Sequence, residues 1–450
     1  MTTSQPIPFP VRPQPPASSA RDARRVALAS AIGTTIEWYD FFIYGTAAAT
    51  VFGPQFFPQV SELAGTLAAF ATFAVGFVAR PLGGVVMGHY GDRLGRKFML
   101  VWSLMLMGLS TLGIGLLPTY AAIGAWAPAL LVTLRFVQGF ALGGEWGGAV
   151  LMSVEHAPRG RRGFFGSFVA LGLPVGIITS NLVFLMTSTM VAPGQFTAWA
   201  WRVPFVASAL LVVVGLFVRL GISESPVFAE VLRAQVARRL PVLDVMRAHG
   251  RTVLLAAGTY VGISGLGYIV LVYFVTYATR TLGFGLPTTL AIVIGAAAVF
   301  GLSIVLFAHW TDRIGRRRIM VWGLGVLTLW SLVFFPLADT RSVALAALSI
   351  TVMLVIQGAY IGPQPAIFSE LFPTDVRYSG ASLSLTLGTL VGGAIAPIVA
   401  TSLYGMRGNS SLVTVYITAM SAVSWLCALG LQETFRSDLG AGTAAPARPR

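Results

Sequence analysis

Twelve apolar stretches, each close to the ~20 residues a helix needs to cross a bilayer, dominate this 450-residue chain. Breaking it at charged or Pro/Gly-rich punctuation places them at 26–53, 63–88, 99–117, 126–152, 164–190, 201–221, 252–279, 287–308, 319–337, 343–368, 379–404 and 411–432. With 56% hydrophobic and 10% charged residues, the chain has too little polar surface to cover a soluble globule. Mean hydropathy is +0.79. The expected fold is all-α and integral to the membrane: twelve transmembrane helices in two pseudo-symmetric six-helix bundles.

A net charge of +14 would suggest nucleic acid in a soluble protein. Here the charge follows topology. With the N-terminus cytoplasmic, Arg93, Arg96, Lys97, Arg161, Arg162, Arg238, Arg239, Arg313, Arg316, Arg317, Arg318 and Arg377 fall inside, while the outer connections hold Arg202, Arg280, Arg341 and Arg407. That asymmetry obeys the positive-inside rule. It predicts an inner (plasma) membrane protein with both termini cytoplasmic, a lipid bilayer for a partner and no nucleic acid. Cys427, the single cysteine, lies in the last stretch and forms no intramolecular disulfide.

The chain divides into a disordered N-terminus at 1–25, a six-helix bundle at 26–221, a cytoplasmic linker at 222–251, a second bundle at 252–432 and a tail at 433–450. The linker's periodic part, PVFAEVLRAQVARRL, reads as a short amphipathic helix. Matched positions recur at nearly constant offset: Asp92 with Asp312, and Gln138-Gly139 with Gln357-Gly358. A parallel repeat of six spans suits a rocking transporter, with substrate held between the halves near the midplane.

GHYGDRLGRK at 88–97 and its echo AHWTDRIGRRR at 308–318 resemble the loops that follow the second and eighth helices in the major facilitator superfamily. IEWYDFFIYG at 36–45, ARPLGG at 79–84, RFVQGFALGGEWGGA at 135–149, ESPVF at 224–228 and ELFPTDVRYSGAS at 370–382 narrow the resemblance to the metabolite:proton symporters. That family carries shikimate, 2-oxoglutarate, citrate, and proline or betaine. The resemblance implies a monomeric secondary active transporter that couples proton uptake to a small organic acid or related polar metabolite by alternating access. Two alternatives stay open: a proline/betaine-type osmolyte symporter, whose long C-terminal coiled coil has no counterpart here, and a drug or metabolite antiporter.

A charge at the centre of a span costs about 2.5–3.5 kcal/mol on insertion scales and needs a partner or a purpose. Glu37 and Asp40 lie one turn apart on the first span, and Arg135 reaches a similar depth on the fourth. Two carboxylates and one guanidinium in low dielectric cannot all stay ionised cheaply, which leaves one carboxyl free to titrate. Either Asp40 or Glu37 is expected to take a proton and release Arg135 to an anionic substrate. The bland alternative is a permanent ion pair that fixes packing. Arg80 and Glu145 form a candidate second pair with a structural or gating role.

The second half carries Leu354 at the repeat position equivalent to Arg135. Its neutral donors Tyr260, Tyr268, Tyr273, Gln357, Tyr360, Gln364, Ser382 and Ser384, with Tyr39, Tyr44 and Asn181 from the first half, are candidates to line a cavity. Asp92, Arg93 and Arg96, with Asp312, Arg313 and Arg316, form the gating set. By resemblance, their acids latch neighbouring helix ends. Gly139, Gly143 and Gly147 recur every four residues and predict close helix approach. Four scattered His without metal-ligand spacing, no nucleophile elbow, and a single lysine, Lys97, outside any P-loop argue against an enzyme, a metal centre or an ATP-driven pump. The proton is the only coupling ion expected, with no cofactor.

Overall fold

A computed structural model describes residues 20–94, 96–143, 160–220, 241–373 and 376–435, together with 150, 153, 154 and 157. Among them are twelve helical passages. We label them α1 (20–56), α2 (Glu62–Leu94), α3 (Arg96–Leu116), α4 (Trp126–Leu142), α5 (Arg162–Met190), α6 (Val203–Leu220), α7 (241–280), α8 (Leu286–Ile314), α9 (Arg316–Ala338), α10 (Val343–Glu370), α11 (Arg377–Arg407) and α12 (Ser411–Leu429). Among the described residues, nine helices are long and apolar enough to cross a membrane by length and composition alone, and α3 and α4 are shorter apolar helices. The remaining passage, α1, is the one that carries Glu37 and Asp40.

The two halves pack by the same rules. In the first, α1 lies on α5, α2 on α4, and α3 on α6 and α4; in the second, α7 lies on α11, α8 on α10, and α9 on α12 and α10. Equivalent glycines make equivalent crossings. A Cβ on Gly139 or Gly143 of α4 would sit 2.1 Å from the carbonyl oxygens of Gly76 and Arg80 on α2. Their repeat partners on α10 are as tight: a Cβ on Gly358 would lie 2.1 Å from Ser303 Oγ, and one on Gly362 2.6 Å from the Ile304 carbonyl oxygen on α8. The glycine spacing thus serves backbone contact, where packing replaces the hydrophobic drive that lipid cannot supply. Gly147 and Glu145 lie outside the described residues.

Large apolar side chains cover the outer surface: Phe217 is 84% exposed and Leu302 74%. In water such a belt would be an aggregation site; here it is the lipid-facing surface. α5 meets α8 across the halves, and α2 meets α11.

Two features were not legible in hydropathy. α1 and α7 each carry a π-helical turn, Ala48–Phe52 and Ile269–Tyr273, at equivalent places in the repeat, and α11 carries a third at Leu390–Ala394. Such turns break the regular ladder locally and recur at functional positions. The second concerns the expected linker at 222–251. Its final part is helical from Pro241 and runs into α7 through a kink at His249, with φ −129°. Val245 packs there with Val253, Phe372 and Val376, and this apolar anchorage extends the helix past the hydropathy boundary. The amphipathic helix expected at 226–240 lies outside the described residues.

Candidate functional site

A cavity of about 50 Å³ lies between the halves, smaller than the ~300–1,000 Å³ of an open small-molecule site. Glu37 and Trp38 of α1, Phe77 and Arg80 of α2, Tyr260 and Tyr268 of α7 and Ser382 of α11 are among its walls. A smaller recess of about 20 Å³ shares Trp38 and Tyr260 and is closed by Gln364, Pro365 and α5. Of the ionisable residues singled out above, Glu37 and Arg80 line the cavity.

Arg135 does not line it. Its guanidinium is fully buried, with Cζ 4.2 Å from the ring centroid of Tyr44, 4.8 Å from Phe41 and 5.0 Å from Phe73. Gly76 makes room for it, since a Cβ there would come within 2.7 Å of Arg135 Nε. Cation–π contacts of roughly 0.5–2 kcal/mol each, taken over three rings, are of the size needed to offset the insertion cost of the charge.

Asp40 is also buried, at 1% exposure. The expected direct pairing of Asp40 with Arg135 is replaced by a relay. Arg135 Nη1 donates to Gln138 Oε1 at 2.6 Å, Gln138 Nε2 donates to Thr111 Oγ1 at 2.8 Å, and Thr111 Oγ1 donates to Asp40 Oδ2 at 3.0 Å. All three donors point the same way, so the arginine's charge polarises the chain toward the carboxylate. The Thr111 hydroxyl has a second acceptor, the Met107 carbonyl oxygen at 2.9 Å. Asp40 Oδ1 is buried with no hydrogen-bond partner among the described residues and is the oxygen placed to receive a proton. Sequence reasoning missed Thr111 altogether. Its only signal is a hydroxyl in an apolar α3, where Ser103 and Ser110 offer the same pattern and Ser110 is bonded to its own backbone.

The remaining candidates separate into cavity and scaffold. Tyr39 donates to the Pro204 carbonyl oxygen, Tyr44 to Thr72 Oγ1, and Asn181 Nδ2 to the Ile177 carbonyl oxygen while its Oδ1 accepts from Thr46. These three tie α1 to its neighbours or hold a turn of α5. Tyr360 lies 2.7 Å from Thr259 Oγ1 and stacks on Tyr260, Tyr273 stacks on Tyr277, and Ser384 is bonded within its own helix. Tyr260, Tyr268 and Ser382 face the cavity and Gln364 the recess. Gln357 is buried, its Nε2 without a partner among the described residues. Tyr268 also closes a four-ring cluster with Phe41, Phe73 and Phe77, so α7 meets the first half through aromatic edges.

Contacts between the halves flank this centre at both ends. At the end away from the chain termini, Arg280 of α7 reaches Glu62 Oε1 at 3.0 Å and Thr66 Oγ1 at 2.7 Å on α2, and Thr276 donates to the Ala49 carbonyl oxygen at 3.0 Å. At the other end Asp312 of α8 accepts the backbone N–H groups of Gly163 and Phe164, at 2.9 and 3.0 Å, where α5 begins. A carboxylate on a helix N-terminus satisfies unpaired donors and meets the positive end of the dipole. Arg316 backs it at 2.6 Å and also holds Glu370, which Arg162 approaches to 3.7 Å. Arg313 is exposed, and the side chains of Asp92, Arg93 and Arg96 lie outside the described residues. Glu370 and Arg162 were not among the sequence candidates, because counting charges at span ends does not reveal which of them meet.

Replacing Asp312 with Ala removes two charge-assisted bonds across the α5–α8 seam. At about 1.5–3 kcal/mol for one such bond, the equilibrium is expected to move by an order of magnitude or more toward separated ends. Spin labels at the start of α5 and the end of α8 should report a longer distance in the variant. An unchanged distribution would reduce Asp312 to a local cap.

Sequence comparison agrees with this architecture. The Major Facilitator Superfamily description matches residues 30–397. The chain belongs to that superfamily. It is 42% identical over 420 residues to the inner membrane metabolite transport protein YhjE of Escherichia coli (strain K12), covering 92% of this chain and 95% of the relative. It is 41% identical to the shikimate transporter of the same organism, covering 95% and 98%. Among solved structures, a partially occluded, inward-open xylose transporter XylE from E. coli superposes with a TM-score of 0.73 at 18% identity, covering 92% of this chain and 99% of that one. The superfamily member described here is therefore a multi-pass membrane transporter of a small-molecule metabolite, and not an enzyme.

Proposed function

We propose that this chain is a proton-coupled symporter that takes up a small organic acid by alternating access, with Asp40 as the proton carrier. The observation that carries the reading is the relay from Arg135 through Gln138 and Thr111 to Asp40, a buried acid and base joined by a directional chain beside the central cavity. Protonation of Asp40 removes the negative end of that chain. The Thr111 proton then turns to the Met107 carbonyl oxygen, and Arg135 loses the charge it was polarising. Changed contacts at the α1–α3–α4 junction favour the alternate packing of the two halves, as a differential interaction must if it is to shift a conformational equilibrium. No covalent step is involved.

By the same reading the protein is a monomer in the inner membrane with both termini cytoplasmic, an orientation supported by its basic loops. The segment 222–251 joins the halves, and the α5–α8 latch at Asp312 lies on the cytoplasmic side. The 41% identical shikimate transporter favours a hydroxylated cyclic acid as cargo. The osmolyte reading keeps one observation in its favour, the aromatic faces of Trp38, Phe77, Tyr260 and Tyr268 around the cavity, which would also suit a quaternary ammonium.

The deciding experiment uses purified protein in liposomes with an acidic exterior. Labelled shikimate is expected to accumulate, and a protonophore to abolish accumulation while leaving exchange at equal pH. Accumulation indifferent to the protonophore would remove proton coupling. Betaine carried in place of the acid would select the osmolyte reading.

A further inference from the structure

Arg135 and Arg80 present the same chemistry in opposite settings. In each, Nε and Nη2, which share one edge of the guanidinium, are buried with no hydrogen-bond partner among the described residues. Arg135 is walled off by three rings and Gly76, and its Nη1 is spent on Gln138. Arg80 lines the cavity. Phe41 and Phe77 lie 5.1 and 5.2 Å from its Cζ, so the ring faces position the plane while its Nε/Nη2 edge lacks an acceptor among the described residues. Two parallel N–H groups on one edge match the two oxygens of a carboxylate.

Further unsatisfied donors extend the pattern. Among the described residues, Ser382 Oγ, in the same cavity, has no partner, and neither has Gln364 Nε2 in the adjoining recess, where Gln364 is only 4% exposed. Buried donors left unpaired cost about 1–3 kcal/mol each and ask for an acceptor. Between the arginine and the glutamine stand Trp38 and Tyr260, which belong to both spaces. Together the two spaces present a cationic fork, a hydroxyl, two shared aromatic side chains and an amide donor. Arg80 is the only Arg or Lys among the described residues lining either space, and Glu37 lines the same wall, so a second carboxylate would find repulsion and no cation.

We infer that Arg80, and not Arg135, anchors the substrate's carboxylate, and that the substrate is a monocarboxylate whose body carries hydroxyl or carbonyl oxygens for Gln364. The assignment rests on the transport reading above and specifies its ligand. The two arginines then play different parts, Arg135 answering the proton on Asp40 and Arg80 holding the cargo.

Equilibrium binding to the purified full-length protein in detergent, with no gradient present, tests it apart from coupling. The probes are quinate and 4-hydroxybenzoate, their methyl esters, cyclohexanecarboxylate, citrate and glycine betaine, read by tryptophan fluorescence and thermal shift. At least one hydroxylated monocarboxylate is expected to bind, and its ester and citrate to fail. Loss of a bidentate charge-assisted contact in Arg80→Gln should weaken binding by about 30-fold or more, and Arg80→Lys, which keeps the charge without the fork, by about tenfold. Gln364→Leu should weaken quinate and leave cyclohexanecarboxylate unaffected. The assignment is overturned if neither hydroxylated acid binds the wild type, if esters or betaine bind as well as the acids, or if Arg80→Lys and Gln364→Leu, folded by their own melting curves, bind like the wild type. Failure of coupling alone would instead appear as intact binding without gradient-driven uptake.

Discussion

Asp40→Asn is expected to lose gradient-driven accumulation altogether, at least about 100-fold below the wild type, while exchange across the membrane at equal pH stays within a few-fold. Asparagine nearly matches the shape of aspartate and can still accept the Thr111 hydroxyl through its amide oxygen, so the α1–α3 contact at 3.0 Å survives. What it cannot do is gain and lose a proton. The variant therefore separates chemistry from packing. Counterflow of labelled substrate and pH-driven uptake, measured on one liposome preparation, give the two rates. Accumulation against a gradient in the variant would rule out Asp40 as the carrier and turn attention to Glu37, one turn before it on this helix. Loss of both activities would mean that the carboxylate is structural. Thr111→Val, which cuts the relay in the middle and leaves the acid in place, should keep some coupling and shift its pH dependence; Thr111→Ser should restore it.

The second large effect is steric. Gly83→Val and Gly139→Val are expected to abolish folded protein, seen as loss of the monodisperse peak of a fluorescent fusion in detergent. A Cβ at Gly83 would lie 1.8 Å from the Phe140 carbonyl oxygen, and one at Gly139 2.1 Å from that of Gly76. Both obstacles are backbone, so the helices α2 and α4 themselves must part. Even modest overpacking of a core costs about 1–3 kcal/mol, and separating a helix pair costs more than the ~5–15 kcal/mol margin of a typical protein readily absorbs. The movement would also open the box around Arg135, since Gly76 abuts its Nε. Gly113→Ala is the matched control. Its nearest neighbours are the Leu134 methyl groups at 3.3 and 3.4 Å, which can rotate away, and that variant should fold. If Gly139→Val folds with an unchanged melting temperature, the close crossing is not what holds the first half together.

Membrane class, the count of spans and the two-fold repeat were all legible in the chain, because each depends on quantities that add along it. A span is a run of apolar residues as long as the bilayer is thick, and a duplication leaves matched residues at constant offset, as Gln138-Gly139 and Gln357-Gly358 do. The presence of costly charges was legible for the same reason: Glu37, Asp40 and Arg135 lie where no solvation is available from lipid. Which charge meets which group was not. Periodicity places Asp40 and Arg135 at similar depth, but the rotation of α1 against α3 and α4 decides that Thr111 and Gln138 come between them. The same rotations put Arg80 in the cavity wall and Arg135 behind three rings, reversing the emphasis that spacing suggested. Glu370 shows the limit most simply. Its partner Arg316 stands 54 residues away in sequence and 3.2 Å away in space, a meeting brought about only by the packing of α9 and α10. One-dimensional chemistry determined that this chain enters a membrane as two similar bundles with charges inside the first. The side-chain partners of those charges, on which the proposed division between proton and substrate rests, were decided by helix rotation and crossing, which no single helix's sequence encodes.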